Sequence, residues 1–293
     1  MPREKSEIIP CELLPETKKR IVDFAEALKT EAPRIGAHGL SEQEFWDSGI
    51  FRSAIELIRG VQAASGTQKR QFMAAVLDHL KFQGEITGWE FTGSGERHDY
   101  EIRMPDGRLS IVETKGCLDG NNTNIFQRPP QADEFVIWSL CQNPGADPRH
   151  NAWSGIHTRL GAEIIHEQLK KVDGVVIWDM ICGTVGRPCP KINADPTRAT
   201  VLENGHVVPP PCLYLFPRST PDPRNNPSPA TWKRQDIRLV DALWKAFKGN
   251  DNDVIEVHIE ARMEGADVQR RTSFKRGGEE FSKSQWTTIR RAR

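Results

Sequence analysis

No apolar run in this 293-residue sequence approaches the roughly 18–20 residues that a membrane-spanning helix needs. The N-terminal segment lacks the apolar stretch of a secretory signal peptide, and no repeat recurs along the chain. The 8 Trp and 12 Phe provide enough apolar surface to exclude disorder throughout. We therefore expect a cytoplasmic globular protein with no membrane partner.

The chain also lacks net charge, because 40 Lys and Arg balance 40 Asp and Glu. Taken as a sum, this neutrality argues against a nucleic-acid partner, since such proteins usually carry a basic surface. The charge is unevenly distributed, however: residues 269–293 hold eight basic and two acidic residues, so this segment carries +6 and the rest of the chain −6. The segment is interpreted either as a phosphate-contacting surface or as a solvated basic tail.

Closely spaced cysteine pairs are absent from the sequence. The six cysteines are scattered, as expected for free thiols in a reducing compartment. One combination has the side chains of a structural zinc site, namely Cys182, Cys189, His206 and Cys212, although it lacks the usual CxxC pair. The sequence leaves open whether these residues bind zinc or are small buried side chains.

Hydrophobic periodicity predicts helices in the first third of the chain and strands after it. The predicted helices cover about 15–33, about 68–82 and about 154–172, and a further helix starts near 236. Another helix is predicted to begin at a capping box formed by Ser41 and Glu44. In the helix over 68–82, Phe72 and Phe82 are both expected to face inward. The predicted strands cover 89–91, 98–104, 109–115, 135–141, 175–181 and 254–263.

The order of these elements predicts an α/β fold with a mixed central sheet. Residues 188–229 contain 11 of the 20 prolines, so we expect an extended, irregular insertion there. We divide the chain into a helical N-terminal region over 1–65 packed on the core, a core over 66–187, and a third part over 188–293. This third part contains the Pro-rich wrap, a helix, a strand and the basic C-terminal segment, and we expect it to belong to the same domain.

The segment GERHDYEIRMPDGRLSIVETKG carries the most informative chemistry. Glu113 and Lys115 lie two residues apart on a strand, so they point to the same face. The turn over 105–107 folds Asp99 back towards Glu113, and two carboxylates held close together favour a divalent cation. Mg²⁺ suits such a site because it binds through one or two carboxylates, waters and substrate phosphates. A lysine beside the metal can orient or stabilise the attacking water.

This arrangement resembles the PD-(D/E)xK nuclease superfamily, and most closely its type II restriction endonucleases. The resemblance covers roughly residues 66–182 and implies a restriction-endonuclease-like αβββαβ core. Asp99, Glu113 and Lys115 match the catalytic Asp and the (Asp/Glu)-x-Lys pair of the family, which implies that the two carboxylates bind Mg²⁺. His98 stands where many members have proline, and the strand at 135–141 is additional. A further acidic ligand from a preceding helix stays open, with Glu56 as the candidate; Glu101 shares a strand face with Asp99 and could support the site without binding the metal.

The resemblance implies a Mg²⁺-dependent endonuclease that cleaves double-stranded DNA at a specific sequence and acts as a homodimer. The expected DNA contacts are Asn121 and Asn122, in the loop after Lys115, and Arg270, Arg271, Lys275 and Arg276, in the basic segment. The alternatives are a repair or junction-resolving nuclease with the same chemistry, a non-catalytic DNA-binding protein of this fold, or a surface strand on which Glu113 and Lys115 are merely solvated.

Overall fold

A computed structural model describes residues 15–30, 39–51, 54, 66–93, 98–116, 128–140, 172–185 and 187–289. In this part of the chain, five α-helices are present: α1 (Pro15–Thr30), α2 (Glu42–Asp47), α3 (Gly66–Phe82), α4 (Pro190–Ala194) and α5 (Arg238–Ala246). No helix among the described residues is long and apolar enough to cross a membrane.

Twelve β-strands accompany these helices: β1 (Gly88–Phe91), β2 (Tyr100–Arg103), β3 (Leu109–Gly116), β4 (Glu134–Leu140), β5 (Gly174–Ile177), β6 (Thr200–Val201), β7 (Val207–Val208), β8 (Cys212–Leu215), β9 (Val254–Glu264), β10 (Asp267–Arg276), β11 (Glu279–Lys283) and β12 (Thr287–Thr288). The fold is therefore mixed α/β, as the order of predicted elements indicated.

Ten of the strands form one sheet in the order β1-β2-β3-β4-β5-β8-β9-β10-β11, with β12 also paired to β10. The sheet is mixed: β3, β4 and β5 run parallel to one another, whereas β1, β2 and β3 form an antiparallel meander. Parallel neighbours need a crossover connection between them. Residues 154–171 of the helix predicted for the β4–β5 crossover lie outside the described residues, as do 55–65, which follow the helical segment after Ser41.

Apolar side chains on the two faces of the sheet form two separate cores. Helices α3 and α5 pack on one face, where the core contains Phe72, Val112, Trp138 and Leu243. The opposite face carries a second core that contains Ile111 and side chains from β4, β5, β8, β9 and β10. The near-continuous burial of β4 and β5 explains why their sequences read as unbroken apolar runs.

Helix α5 begins at a residue that cannot cap it, and a strand supplies the missing cap. Its N-cap is Ile237, which has no side-chain acceptor. Glu134, at the start of β4, is buried and accepts hydrogen bonds from the backbone amides of Arg238 and Leu239. The same carboxylate accepts a hydrogen bond from Ser110 Oγ at 2.7 Å. Glu134 thus fixes the helix to the sheet while satisfying amides that the helix itself leaves free.

The helix predictions are largely confirmed, with one correction. The Ser41–Glu44 capping box is present, with the Ser41 amide and the Glu44 carboxylate 3.0 Å apart. Phe72 is fully buried, as predicted. The prediction for Phe82 was wrong: its side chain is 78% exposed. Phe82 is the last residue of α3, where the chain leaves the sheet and the helical period no longer determines which side faces the core.

The predicted character of residues 188–229 was wrong in part. This segment contains α4, the β6–β7 hairpin and β8, and β8 lies between β5 and β9 in the middle of the sheet. The basic segment after residue 268 is also ordered up to Ile289, where it forms most of β10 together with β11 and β12, so it is not a solvated tail there. Its last four residues lie outside the described part. The strand predicted over 175–181 ends at Ile177.

Candidate functional site

The β2–β3 hairpin places Asp99 beside Glu113. Gly107 adopts φ +86° in the connecting turn, a conformation that favours glycine, and its amide donates to the Met104 carbonyl at 3.0 Å. In the resulting register Tyr100 pairs with Val112, and the Asp99 amide donates to the Val112 carbonyl at 3.1 Å. Asp99 and Tyr100 thus both lie against Val112, so the regular pairing ends at Tyr100; the Asp99 carboxylate reaches Thr114, and its charge acts on Glu113.

The carboxylate of Asp99 is held by Thr114. Asp99 Oδ2 accepts hydrogen bonds from the backbone amide of Thr114, at 2.7 Å, and from its hydroxyl. These two donors fix the orientation of the carboxylate and leave Oδ1 free of hydrogen bonds from the described residues. Asp99 is therefore a preorganised oxygen ligand with one oxygen available.

Glu113 and Lys115 form a partly buried ion pair on the same face of β3. Lys115 Nζ donates to Glu113 Oε1, and the Glu113 side chain is only 9% exposed. Burial raises the pKa of Glu113 above its ordinary value of 4.5; the negative charge of Asp99 raises it further, while Lys115 and His98 act in the opposite direction. A second positive charge, such as a metal ion, would relieve both unfavourable effects on the ionised carboxylate.

Two carboxylates and a lysine fit Mg²⁺ better than a metal that needs a full set of protein ligands. Within the described residues no group of three or more His, Cys, Asp and Glu side chains is arranged to hold a metal ion. Mg²⁺ keeps several waters and is commonly bound by one or two carboxylates plus substrate phosphate oxygens. Asp99 and Glu113 supply two such carboxylates; the pKa of Glu113 is raised mainly by burial, and the charge of Asp99 adds to this effect.

Comparison with protein-family models, with curated proteins and with solved structures gives no match for this chain. The chemistry of the site therefore has to be argued from its own residues.

His98 and Glu101 form a contact at the edge of this site. His98 is buried, and its Nε2 lies 3.0 Å from Glu101 Oε1. Glu101 is thus engaged by His98 next to Asp99, and whether it supports the site stays a prediction. Glu56, the candidate for a further acidic ligand, lies outside the described residues.

The structure describes four of the six expected DNA contacts, and these four do not share one surface. Asn121 and Asn122 lie outside the described residues. The four basic residues are on β10, where strand alternation separates them. Arg270 and Arg276 share a face with the buried Phe274, whereas Arg271 and Lys275 point to the other face.

The two faces of β10 give these side chains different environments. Burial lowers the pKa of Arg270, whereas Arg271 pairs with Glu260 at 2.7 Å and also stacks on Trp286 at 4.6 Å from the ring centre. Arg276 lies over the Phe281 ring at 5.7 Å. The charge of Arg271 is thus balanced within the protein by Glu260.

The residues considered for zinc do not form a recognisable metal site in the described part of the chain. Cys182, Cys189 and Cys212 are buried free thiols. Burial raises the pKa of Cys189 to about 11, which disfavours the thiolate that a zinc ligand requires. His206 packs edge-on against Phe72, with ring centres 5.9 Å apart.

Two polar residues near Asp99 were missed by the sequence reasoning. Thr114 lies between Glu113 and Lys115 in the motif, and only its bonds to Asp99 reveal its role. Lys69 comes from α3, and its pKa responds to the charges of Asp99 and Lys115. No local pattern signals Lys69, because 30 residues separate it from Asp99 in the chain.

Proposed function

We propose that this protein is a Mg²⁺-dependent endonuclease of the type II restriction class, which hydrolyses phosphodiester bonds of double-stranded DNA at a specific sequence. The observation that carries the proposal is the convergence of the Asp99 carboxylate, held by Thr114, with the Lys115–Glu113 ion pair at one end of the β2–β3 hairpin. All three lie towards the end of the β2–β3 hairpin that is remote from its turn. The alternative of a solvated strand fits poorly with the burial of Glu113.

In this proposal Asp99 and Glu113 hold the metal through Oδ1 and a Glu113 carboxylate oxygen. Bound Mg²⁺ would supply Lewis-acid stabilisation of the charge that develops on the phosphate. Lys115 shifts between Glu113 and the attacking water, orients that water for in-line attack on phosphorus and stabilises its developing negative charge. Thr114 keeps Asp99 in position throughout, because its amide is fixed in the β3 backbone.

The sheet topology supports the proposal that residues 66–182 form a restriction-endonuclease-like core. Helix α3 precedes the antiparallel strands β1, β2 and β3, and the parallel strand β5 follows. Strand β4 lies between β3 and β5 as an additional parallel strand. This order reproduces the αβββ and final β elements of the proposed core, with one strand inserted.

DNA contacts are proposed for Lys275 and Arg276, the half-buried basic residues at the end of β10. Five inter-strand steps across the sheet, about 24 Å, separate β3 from β10, which corresponds to about seven base pairs along a duplex. The side chains between them, such as Ile137 and Tyr214, are fully buried, so the duplex does not lie on this face of the sheet. Contacts from the end of β10 would be to backbone phosphates remote from the scissile one. A homodimer acting on a palindromic site is proposed by analogy with the same class.

Incubation of purified protein with unmethylated plasmid DNA in Mg²⁺ and in EDTA tests the proposal. We expect discrete fragments in Mg²⁺ and intact plasmid in EDTA. Preferential cutting of a four-way junction or damaged duplex would instead support the repair or junction-resolving alternative. Tight DNA binding without cutting, on DNA of varied sequence, would contradict the enzymatic proposal and leave a non-catalytic DNA-binding protein.

A further inference from the structure

Lys69 lies on the face of α3 that is turned towards the sheet. Residues three and four positions apart share a helix face, and Lys69 precedes the fully buried Phe72 and Met73 by those intervals. Its own side chain is only partly exposed. The second turn of this helix therefore directs an ammonium group to the boundary between the core and solvent, in the way long cationic side chains usually do.

The beginning of α3 lies over the end of the meander that carries Asp99. The Arg70 guanidinium lies 5.2 Å from the centre of the Phe91 ring, at the end of β1. Phe91 in turn contacts Tyr100, the residue after Asp99, with ring centres 5.2 Å apart. These contacts place the beginning of α3, and with it the backbone of Lys69, at the same end of the hairpin as the candidate site, on the sheet face of Thr114.

The charges of the site act on Lys69 directly. Burial lowers the pKa of the Lys69 ammonium; Asp99 raises it and Lys115 lowers it, so the ammonium lies within electrostatic range of both. Among the described residues Lys69 nevertheless has no ion pair or hydrogen bond. Asp99 acts on it only at a distance, and a partly buried cation without a direct ion pair gains from an anion that binds next to it.

We propose that Lys69 contacts a phosphate of the DNA backbone next to the scissile bond, as the second cation of the site after Lys115. This inference rests on the proposed function and deepens it, since it adds a substrate-binding residue from a helix outside the Asp99–Lys115 motif. The ammonium supplies charge without a fixed direction, so Lys69 contributes affinity and position on the backbone but no sequence recognition.

Fluorescence-anisotropy titration of a labelled duplex in Ca²⁺, over a range of salt concentrations, tests the contact without requiring cleavage. Lys69→Gln removes the charge and keeps most of the side-chain length, whereas Lys69→Arg keeps the charge. Lys81→Gln is the matched control, because Lys81 is exposed in the last turn of the same helix. Thermal melting of each variant verifies that the fold is retained.

We expect Lys69→Gln to reduce the slope of log affinity against log salt by about 0.9 and to weaken binding about tenfold near 0.1 M salt. Lys69→Arg and Lys81→Gln should behave as the wild type. If Lys69→Gln binds the duplex as tightly as the wild type and with the same salt slope, the Lys69 contact is overturned and the proposed function stands. A wild-type protein that binds no duplex would overturn both, so the two failures are distinguishable.

Discussion

The hydroxyl and the backbone amide of Thr114 both donate to a single carboxylate oxygen of Asp99. Asp99 lies just before β2, where the strand pairing no longer fixes its side chain, so these two bonds replace the missing ladder contacts. Thr114 points to the sheet face opposite that of Glu113 and Lys115. It therefore orients a metal ligand without occupying the site itself.

Replacement of Thr114 by valine should lower Mg²⁺ affinity by about tenfold, because one of the two bonds that orient Asp99 is lost while the shape is kept. Isothermal titration of the protein with Mg²⁺ measures the effect. Thr87→Val is the control, since the exposed Thr87 hydroxyl bonds only the Arg103 carbonyl, on β2, at 3.1 Å. Equal Mg²⁺ affinity for Thr114→Val and the wild type would contradict the orienting role.

Mg²⁺ binding should weaken as the pH falls through the raised pKa of Glu113, because the metal binds the carboxylate and competes with the proton. Without metal, the stability of the fold changes with pH in the opposite direction to Mg²⁺ affinity. A carboxyl whose folded pKa lies above its unfolded value favours the protonated fold, so the free energy of unfolding decreases as the pH rises from about 4.5 through the raised pKa.

Titrations with Mg²⁺ from about pH 5 to about pH 8 measure this coupling, and Glu113→Gln is the control because it cannot titrate. The wild type should gain affinity with pH and release a proton on binding, whereas the variant should bind weakly at every pH. A wild-type affinity that is independent of pH over this range would show that Glu113 is not a ligand.

Glu134→Ala should destabilise the fold by about 2–3 kcal/mol, because two buried amides at the start of α5 and the Ser110 hydroxyl lose their acceptor. Urea denaturation measures the change. Glu90→Ala is the control, since among the described residues Glu90 makes an exposed ion pair with Arg103 at 4.0 Å, and such pairs contribute roughly 0–1 kcal/mol. Equal stability of the two variants would contradict the capping role of Glu134.

Cys189 should resist alkylation in the native protein, because burial raises the pKa of its thiol to about 11 and the reactive thiolate is scarce near pH 8. Treatment with iodoacetamide followed by peptide mass spectrometry gives the modified fraction. The same treatment in urea, where the thiol is exposed, should modify it fully. Rapid modification of Cys189 in the native protein would mean that the thiol is accessible or ionised.

The strands that the sequence predicted well carry strong periodic signals. Strand β9 alternates buried and less buried residues along most of its length, and β4 is buried on both faces, so each shows an unambiguous pattern. Strand β8 was missed because it has only four residues among many prolines, and its position depends on pairing with β5 and β9. That pairing is tertiary and leaves no local period.

The candidate site also has one part that local sequence patterns predict and another that depends on tertiary packing. The proximity of Asp99, Glu113 and Lys115 follows from a short hairpin with a recognisable turn, so it was predictable from spacing alone. The contribution of Lys69 depends on how α3 packs across the sheet, which no local motif encodes. The separation of Arg270 and Arg271 onto two faces became evident only once the basic segment proved to be a strand.

The cleavage rate of Lys115→Ala in Mg²⁺, compared with the wild type and with Lys81→Ala, tests the central claim most directly. If Lys115 orients and stabilises the attacking water, the variant should cut plasmid DNA at least about a hundredfold more slowly, while Lys81→Ala cuts at the wild-type rate. Mg²⁺-dependent cutting by Lys115→Ala at the wild-type rate would contradict the assignment of Asp99, Glu113 and Lys115 as the catalytic site.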